Sequence, residues 1–582
     1  MNATWKLVLT AGIAATLVPH VLAGGAGAEE DVRRVRLPQG QFTAVINGQE
    51  VPAPDLPMGD RDTIRSILEE GLYRNQVMDH LTHLTKQIGP RLTGSTNATR
   101  ANEWCMQMYA LWGLYNPHLE KWGDIPVGFD RGPSSGKLVL SREEKKDDGT
   151  SEVKFDTLRE LNLSTLAWTA GTQGESRGII LKEPRDENDY KAAKDKLKGA
   201  WILMDPPAAI GQRGVRSRLS DSYEMRQNAR KKVAEGAKVE DLTVLERLAF
   251  DDVAGYVSTT RDERVWTGAA PGWRTLDFDN IPKDVHIIVR GSDYDAINSR
   301  LYDGDPVQLA VNLEHTLNRG PIPVYNTVAE IRGTTLPDEV VIVSAHLDSW
   351  NGPGSEGCTD NGTGSAVTLE AARILKSVGA QPKRTIRFIN WTGEEQGLLG
   401  SRGYCEMHAA ELQNISAVFV DDGGTNYEGG LPAATEMIPM LAAATAPINN
   451  VFYSATDKKF LNVNIRDTGA KIETHGSSDH ASFNQKGVPG FFWDEVGRSD
   501  YGYGWHTQHD KLDIAIPEYL QQSATCAAIT AYNLACADSL LPRVKRDEAA
   551  EAAAEAARRE RRQRREQQPQ PAAQQPQAVP TK

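Results

Sequence analysis

Several short stretches of this 582-residue chain put imidazoles and carboxylates where they could share a cation. His346-Leu347-Asp348 offers a neutral imidazole, a good zinc donor, with a carboxylate two residues on that points the same way along an extended backbone. That carboxylate can accept the other ring N–H and fix the tautomer. Asp360 lies in Cys358-Thr359-Asp360-Asn361-Gly362-Thr363-Gly364, ahead of a helical pattern. It reads either as a helix N-cap or as a carboxylate turned inward by an unusual glycine-rich backbone, able to bridge two cations. Glu394-Glu395 are adjacent acids, costly side by side unless positive charge is near. With metal present they can divide the work, one ligating and the other acting as general base for a metal-activated water. Asp421-Asp422-Gly423 supplies further carboxylates. Trp505-His506-Thr507-Gln508-His509-Asp510 supplies a second imidazole after a Gly/Tyr-rich loop in which Tyr503 could donate to an oxyanion or simply form pocket wall.

The elements around these residues explain how they could meet. Val340–Ala345, Thr385–Trp391 and Ala417–Val420 are apolar, β-branched or aromatic runs of strand length, and Ser365–Ser377 carries Val367, Ala371, Ile374 and Leu375 at helical spacing. Alternating strands and helices predict a mainly parallel sheet flanked by helices, an α/β fold. In such sheets ligands bind beyond the carboxyl ends of the strands, which is where His346, Glu394-Glu395 and Asp421-Asp422 fall. Earlier in the chain, Ile64, Ile67, Leu68 and Leu72, continued by Val77, Leu81 and Leu84, predict helix, and a second helix is expected over about 99–114. Residues 130–318 differ, with short β-like runs at Lys137–Leu140, Gly178–Leu181, Trp201–Met204, Val285–Val289 and Val307–Val311. They predict a β-rich domain inserted into the host fold, with the charged stretch Arg213–Asp241 a solvated helical excursion.

Taken in order, His346-x-Asp348, Asp360-Asn361-Gly362, Glu394-Glu395, Asp422 and His506-Thr507-x-x-Asp510 resemble the M28 metallopeptidases. Ile88-Gly89-Pro90-Arg91-Leu92-Thr93-Gly94, Ser478-Asp479-His480 and Gly487-Val488-Pro489 extend the resemblance over about residues 60–540. It implies a zinc exopeptidase fold with two zinc ions, one held by His346 and Asp422, the other by Glu395 and His506, and both bridged by Asp360. It also implies that Asp348 orients His346 and that Glu394 is the general acid/base. Asp421 is the alternative to Asp422, which is preferred because the following Gly-Gly-Thr fits the family's turn better. Cys358 and Thr359, and Lys511 after Asp510, depart from the usual pattern without removing a ligand. The inserted region, with its Gly199-Ala200-Trp201-Ile202-Leu203 strand, resembles a protease-associated domain.

These readings divide the chain into a signal peptide (1–23), a loose lead-in (24–60), a discontinuous zinc peptidase domain (61–129 and 319–541), the inserted domain (130–318) and a disordered tail (542–582). Lys6, the apolar run Leu7–Val18 and Val21-Leu22-Ala23 have the form of a cleavable export signal, so a secreted or periplasmic location is expected. The apolar run is short for a membrane span, and no later segment has the length and apolarity for one. A formal charge of −13 argues against a protein that coats nucleic acid. Five cysteines, none in a C-x-x-C pair, exclude a cysteine zinc site and leave an odd thiol. The tail runs from an Ala/Glu/Arg segment through Arg558–Arg565 into Gln/Pro repeats, a composition that cannot bury a core. The expected partner is a peptide substrate, with room for a homodimer. The expected activity is a di-zinc exopeptidase, an aminopeptidase ahead of a dipeptidase or carboxypeptidase. The competing class is a metal-free binding protein on the same fold, which the complete ligand set and Glu394 disfavour.

Overall fold

Val341 and Val343 point to one side of a central strand and Val340 and Ile342 to the other, and both sets are buried in separate apolar clusters. That two-sided burial is why the run is continuously apolar, as a strand covered by helices on both faces requires. The computed structural model describes residues 35–212, 216–473 and 477–544, together with Ala556 and Glu560. The signal peptide, the start of the lead-in and most of the tail read from the sequence lie outside these residues.

The central strand, Leu336–His346, pairs in parallel with Arg384–Trp391 on one side and Ile415–Val420 on the other, and Gly490–Phe492 extends the parallel set. Val307–Ile331 then joins antiparallel to Arg384–Trp391, so the sheet is mixed. Helices Thr363–Ser377 and Pro517–Cys536 pack on one face with Arg61–Tyr73 and Thr96–Leu111, and Leu399–Met407 and His480–Asn484 cover the other. A second sheet runs Asp494–Val496, Tyr427–Ala433, Asn464–Asp467, Thr43–Ile46, Gln49–Pro52. The segment expected as a loose lead-in therefore supplies a hairpin whose first strand pairs with Asn464–Asp467. Its signal was short: Ala44 and Val45 are the only buried residues of that strand, turned by Asn47-Gly48 at positive φ.

The helix expected to run on through Leu84 breaks after Tyr73 and resumes at Val77–Thr82, passing into a wider turn over His83–Ile88. The restart is local. Asn75 accepts from the Val77 amide at 2.9 Å and Glu370 from the Gln76 amide at 2.8 Å.

Residues 146–306 form a lobe reached along one continuous antiparallel ladder, Tyr115–Lys145 against Val307–Ile331. Positions 130 and 318 lie inside that ladder, which carries the chain out and back without a flexible joint. Within the lobe Trp201, Leu203, Val257 and Ile287 face one cluster while Ile202, Met204, Tyr256 and Ile288 face another. Over 218–241 the charged stretch is not a solvated excursion. Helix Asp221–Ala234 buries Tyr223, Arg226 and Ala229 along one face, with the Arg226 guanidinium 3.7 Å over the Tyr256 ring and Arg230 paired to Asp284 at 2.5 Å. Its long charged side chains hide an amphipathic face, because their stems bury while their heads find partners.

All five cysteines are buried and unpaired, and Cys526 and Cys536 lie on one unbroken helix. Beyond that helix the chain still packs. Leu541 is buried, and Arg543 donates to the carbonyls of Leu412, Gln413, Ile415 and Gly487 at 2.8–2.9 Å. The expected tail boundary at residue 542 thus falls short of a clasp that closes the sheet edge. A chain ended after Val544 keeps this clasp and should melt like the full chain. Arg543→Ala should lose about 1–3 kcal/mol of stability, the range for hydrogen bonds to a charged donor. Equal denaturation midpoints for Arg543→Ala and wild type would contradict the clasp.

Candidate metal centre

The carboxyl ends of the parallel strands open onto one rim. His346 closes the central strand, Glu394 and Glu395 sit in the turn after Arg384–Trp391, and Asp421 and Asp422 follow Ile415–Val420. Asp360 comes from the irregular turn Cys358–Gly362 that leads into helix Thr363–Ser377, where its backbone is extended (φ −130°, ψ 87°), not helical. His506 arrives on a loop after the short helix Tyr501–Gly504.

These residues converge. His346 Nε2 is 3.0 Å from Asp422 Oδ1 and 3.3 Å from Asp360 Oδ1. His506 Nε2 is 3.0 Å from Glu395 Oε2 and 3.1 Å from Asp360 Oδ2. Asp360 thus turns one oxygen to each imidazole, and two donor groups, His346–Asp360–Asp422 and Asp360–Glu395–His506, share it. Asp360 Oδ2 and Glu395 Oε1 are buried with no hydrogen-bond partner, despite the proximity of His506. One imidazole N–H cannot serve two carboxylate oxygens at once. Nitrogen and oxygen donors in this mixture suit zinc, so the residues fit a pair of divalent ions.

Of the two aspartates left open by the sequence, Asp422 faces His346. Asp421 does not meet His346; its carboxyl lies beside Glu495, and its carbonyl accepts from Asn361 Nδ2 at 2.7 Å. Alternation along the emerging strand separates the two. Asp348 is less direct than expected. His346 Nδ1 meets its backbone carbonyl at 2.9 Å, while the nearer carboxylate oxygen is 3.7 Å away. That carboxylate instead receives Thr93 Oγ1 at 2.9 Å and the amides of Glu394 and Glu395 at 3.3 Å. It seats the turn that carries both glutamates.

Three supports were not assigned roles from the sequence. Arg91 is fully buried and donates to the carbonyls of Leu347 and Gly357 at 2.7 Å, tying the His346 loop to the Asp360 loop. Asp510 accepts from the Thr359 amide at 2.5 Å and its hydroxyl at 2.9 Å, bracing Asp360 from the other side. Gln212, from the lobe, puts its side-chain amide 2.7 Å from His506 Nδ1. A cation on Nε2 would leave the proton on Nδ1, and the Gln212 amide, turned over to present its oxygen, could then accept it. Arg91 and Asp510 lie in stretches that carry the family resemblance and Gln212 in none, but spacing gave none of the three a role. Their signal lay in tertiary contact alone.

The His506 loop is fastened to the lobe. His506 adopts φ +58°, a region costly for a residue with a side chain by about 1–3 kcal/mol. Around it, Thr267 N donates to His506 O at 3.3 Å, Val265 N to Gln508 Oε1 at 2.8 Å, and Arg264 to Gly502 O at 2.9 Å. Trp505 stacks on the imidazole at 4.0 Å between ring centres.

Electrostatics follow from crowding. Burial, reinforced by Asp360, pushes Glu395 up to about 8. Burial pushes Glu394 well above the carboxylate range, with Asp422 and Glu395 adding to the rise. Burial works against His506, yet Glu395 and Asp360 outweigh it and raise the imidazole to about 9. For Asp360 burial is again outweighed, by His346 and His506, and its pKa is lowered. The rim opens into a cleft of about 380 Å³ lined by Glu394, Asp422, Tyr501 and Arg402, among others. Tyr503 is exposed and stacks on His509, so Tyr501 and not Tyr503 is the phenol at the site.

Residues 326–530, which span every one of the converging side chains, match peptidase family M28. The chain is 27% identical to carboxypeptidase Q of Mus musculus over 479 residues, covering 81% of this chain and 88% of the mouse protein. It is 32% identical to aminopeptidase YwaD of Bacillus subtilis (strain 168) over 198 residues, covering 33% of this chain and 41% of that protein. Its fold resembles that of the peptidase M28 precursor from Shewanella amazonensis SB2B, with a TM-score of 0.55 and 23% identity, covering 84% of this chain and 99% of that one.

Loss of Asp360 removes a donor common to both groups, whereas Asp348 and Gln212 act on ligands from behind. Zinc competition against a chelator should therefore show Asp360→Ala binding metal most weakly. Asp348→Ala and Gln212→Leu should each weaken it by about 10–100-fold. The opposite order would contradict these positions.

Proposed function

We propose that this chain, whose residues 326–530 match peptidase family M28, is a di-zinc exopeptidase that removes single residues from the amino ends of peptides. The observation that carries this reading is Asp360, with one oxygen toward His346 and the other toward His506 beside a cleft lined by Glu394. His346 and Asp422 would hold one ion, Glu395 and His506 the other, and Asp360 both. Such ions supply a polarised scissile carbonyl and an attacking water acidified toward neutrality.

The chain's own groups do the remaining work. Glu394 takes the proton of the attacking water and returns it to the leaving amine. Its burial pushes the carboxyl well above its usual range, which favours the protonated form that hands the proton to the leaving amine. Asp348 fixes Glu394 by accepting from its backbone amide. Tyr501, whose phenol is pushed well up by burial and by nearby carboxylates, stays protonated and can donate to the carbonyl oxygen as charge develops there. The lobe holds the His506 loop. We read it as protease-associated in kind, on its resemblance in sequence.

Export is part of the proposal and rests on Lys6, Leu7–Val18 and Val21-Leu22-Ala23. Among the described residues no helix is long and apolar enough to cross a membrane. Amino-terminal sequencing of protein recovered outside the cytoplasm should begin just after Ala23. An uncleaved amino terminus would contradict export by this signal.

Glu394→Gln keeps the shape of the side chain but cannot take a proton. Turnover on an unblocked peptide should fall by about 10²–10⁴-fold while zinc content stays at the wild-type level. Near-normal turnover would remove Glu394 from the reaction.

A further inference from the structure

The turn between strand Arg384–Trp391 and helix Leu399–Met407 carries the general base, and the peptidase domain holds it at several points. Thr93 Oγ1 accepts from the Gly393 amide at 2.9 Å, and Asp348 from the amides of Glu394 and Glu395. The Glu394 carbonyl accepts from the amides of Gly397 and Leu398 at 2.7 and 2.9 Å. Gln396 is held from elsewhere. Its carbonyl accepts from the guanidinium of Arg274, which belongs to the lobe. Among the described residues this is the one hydrogen bond between the lobe and the turn, and Arg274 forms no ion pair that would compete for it.

The position of Arg274 follows from the packing of its neighbour. Trp273 is buried and stacks on Trp168, with 4.3 Å between ring centres and the planes 16° apart. Trp168 Nε1 in turn donates to the Val127 carbonyl at 2.9 Å, on the ladder strand Tyr115–Lys145. The Arg274 guanidinium lies 5.4 Å from the centre of the Trp273 ring. Both tryptophans belong to an apolar cluster against which Leu399, the first residue of the helix after the turn, also packs. Arg274 is thus carried by a stacked pair pinned to the ladder, and the same cluster meets the far end of the turn it grips.

A carbonyl that accepts from a guanidinium has its peptide plane fixed, because the charged donor strengthens the bond and the planar fork restricts its direction. The fixed plane at Gln396 lies between Glu394 and Gly397, whose amide closes the turn onto the Glu394 carbonyl. Tilting that plane would move the base. A general base works only within about 2.6–3.2 Å of the proton it takes, and a misplacement of about 1 Å costs about 10²-fold in rate. We propose that Arg274 is a positioning residue for Glu394, setting from the lobe the turn on which the base stands. This rests on the general-base reading of Glu394 above. It makes the lobe responsible for placing the base as well as His506.

The test is a double-mutant cycle on the zinc-loaded full chain: Arg274→Ala, Glu394→Gln and the two together, with Arg274→Lys as the conservative variant, all assayed on one unblocked peptide. Melting temperature and zinc content are measured alongside. Arg274 is exposed and bonds to none of the candidate ligands, so both should hold. Arg274→Ala should lower kcat by about 10–100-fold and leave KM unchanged, because the base is displaced while the cleft is not. Arg274→Lys keeps a charged donor on a flexible stem and should recover part of the loss. In the Glu394→Gln background, Arg274→Ala should cost nothing further, since no base is left to place. An unchanged kcat in Arg274→Ala, or an equal loss with and without Glu394, overturns the proposal. Near-normal turnover of Glu394→Gln alone overturns the general-base reading and the proposal with it, a result that the Arg274 variants by themselves cannot give.

Discussion

Asp360 has to stay between two imidazoles, 3.3 Å from His346 and 3.1 Å from His506, in a rim that also buries the side chains of Glu395 and Asp422. Carboxylates this close repel in a poorly solvated site and would separate if the backbone allowed it. The surrounding structure removes that freedom. Helix Thr363–Ser377 fixes the exit of the Asp360 turn and Asp510 holds Thr359 on the other side. Arg91, buried among backbone carbonyls and not paired with an acid, fastens this turn to the His346 loop. A guanidinium used this way leaves the rim's negative charge intact for cations while its fork geometry sets two loops at once.

His506 belongs to a loop, not to a strand end, and it carries an unfavourable backbone angle. The peptidase sheet alone does not provide its supports. Thr267, Val265, Arg264 and Gln212, all from the lobe, meet the loop through hydrogen bonds. The long ladder Tyr115–Lys145 with Val307–Ile331 makes this workable. A lobe hung on a flexible linker would shift relative to the sheet, whereas a lobe built on strands shared with the sheet transmits a fixed geometry to His506. The lobe therefore has a physical connection to one half of the candidate metal centre.

What the sequence made legible follows from the range of the signals. Strands buried on both faces, such as Val340–Ala345, announce themselves through continuous apolar runs, and the polar residues that end them fall at the rim by topology alone. Hence His346, Glu394, Glu395 and Asp422 could be placed at the rim in advance, whereas Asp360 and His506 were named from their motifs and the family resemblance; the two donor groups meet at Asp360 and Glu394 lines the cleft beside them. Other features escaped because their cause is remote. The helix break after Tyr73 depends in part on Glu370, far along the chain. Helix Asp221–Ala234 looked solvated because its buried face includes Arg226, whose charge is answered by Tyr256 and Asp284. Tyr501 and Tyr503 share the same local composition, and only the course of the short helix decides which phenol enters the cleft.

The same two-sided burial explains why recognition has to be built outside the sheet. The side chains of Val340–Ala345 and Ile415–Val420 are committed to packing, so this part of the sheet can offer chemistry only at its ends, and those ends are acidic here. An acidic rim attracts a substrate's amine and any cation, but it has no means of reading the far end of a peptide. Other groups at the cleft come from elements that rise beside the rim: the helix after the Glu394 turn supplies Arg402, and the short helix after Asp500 supplies Tyr501.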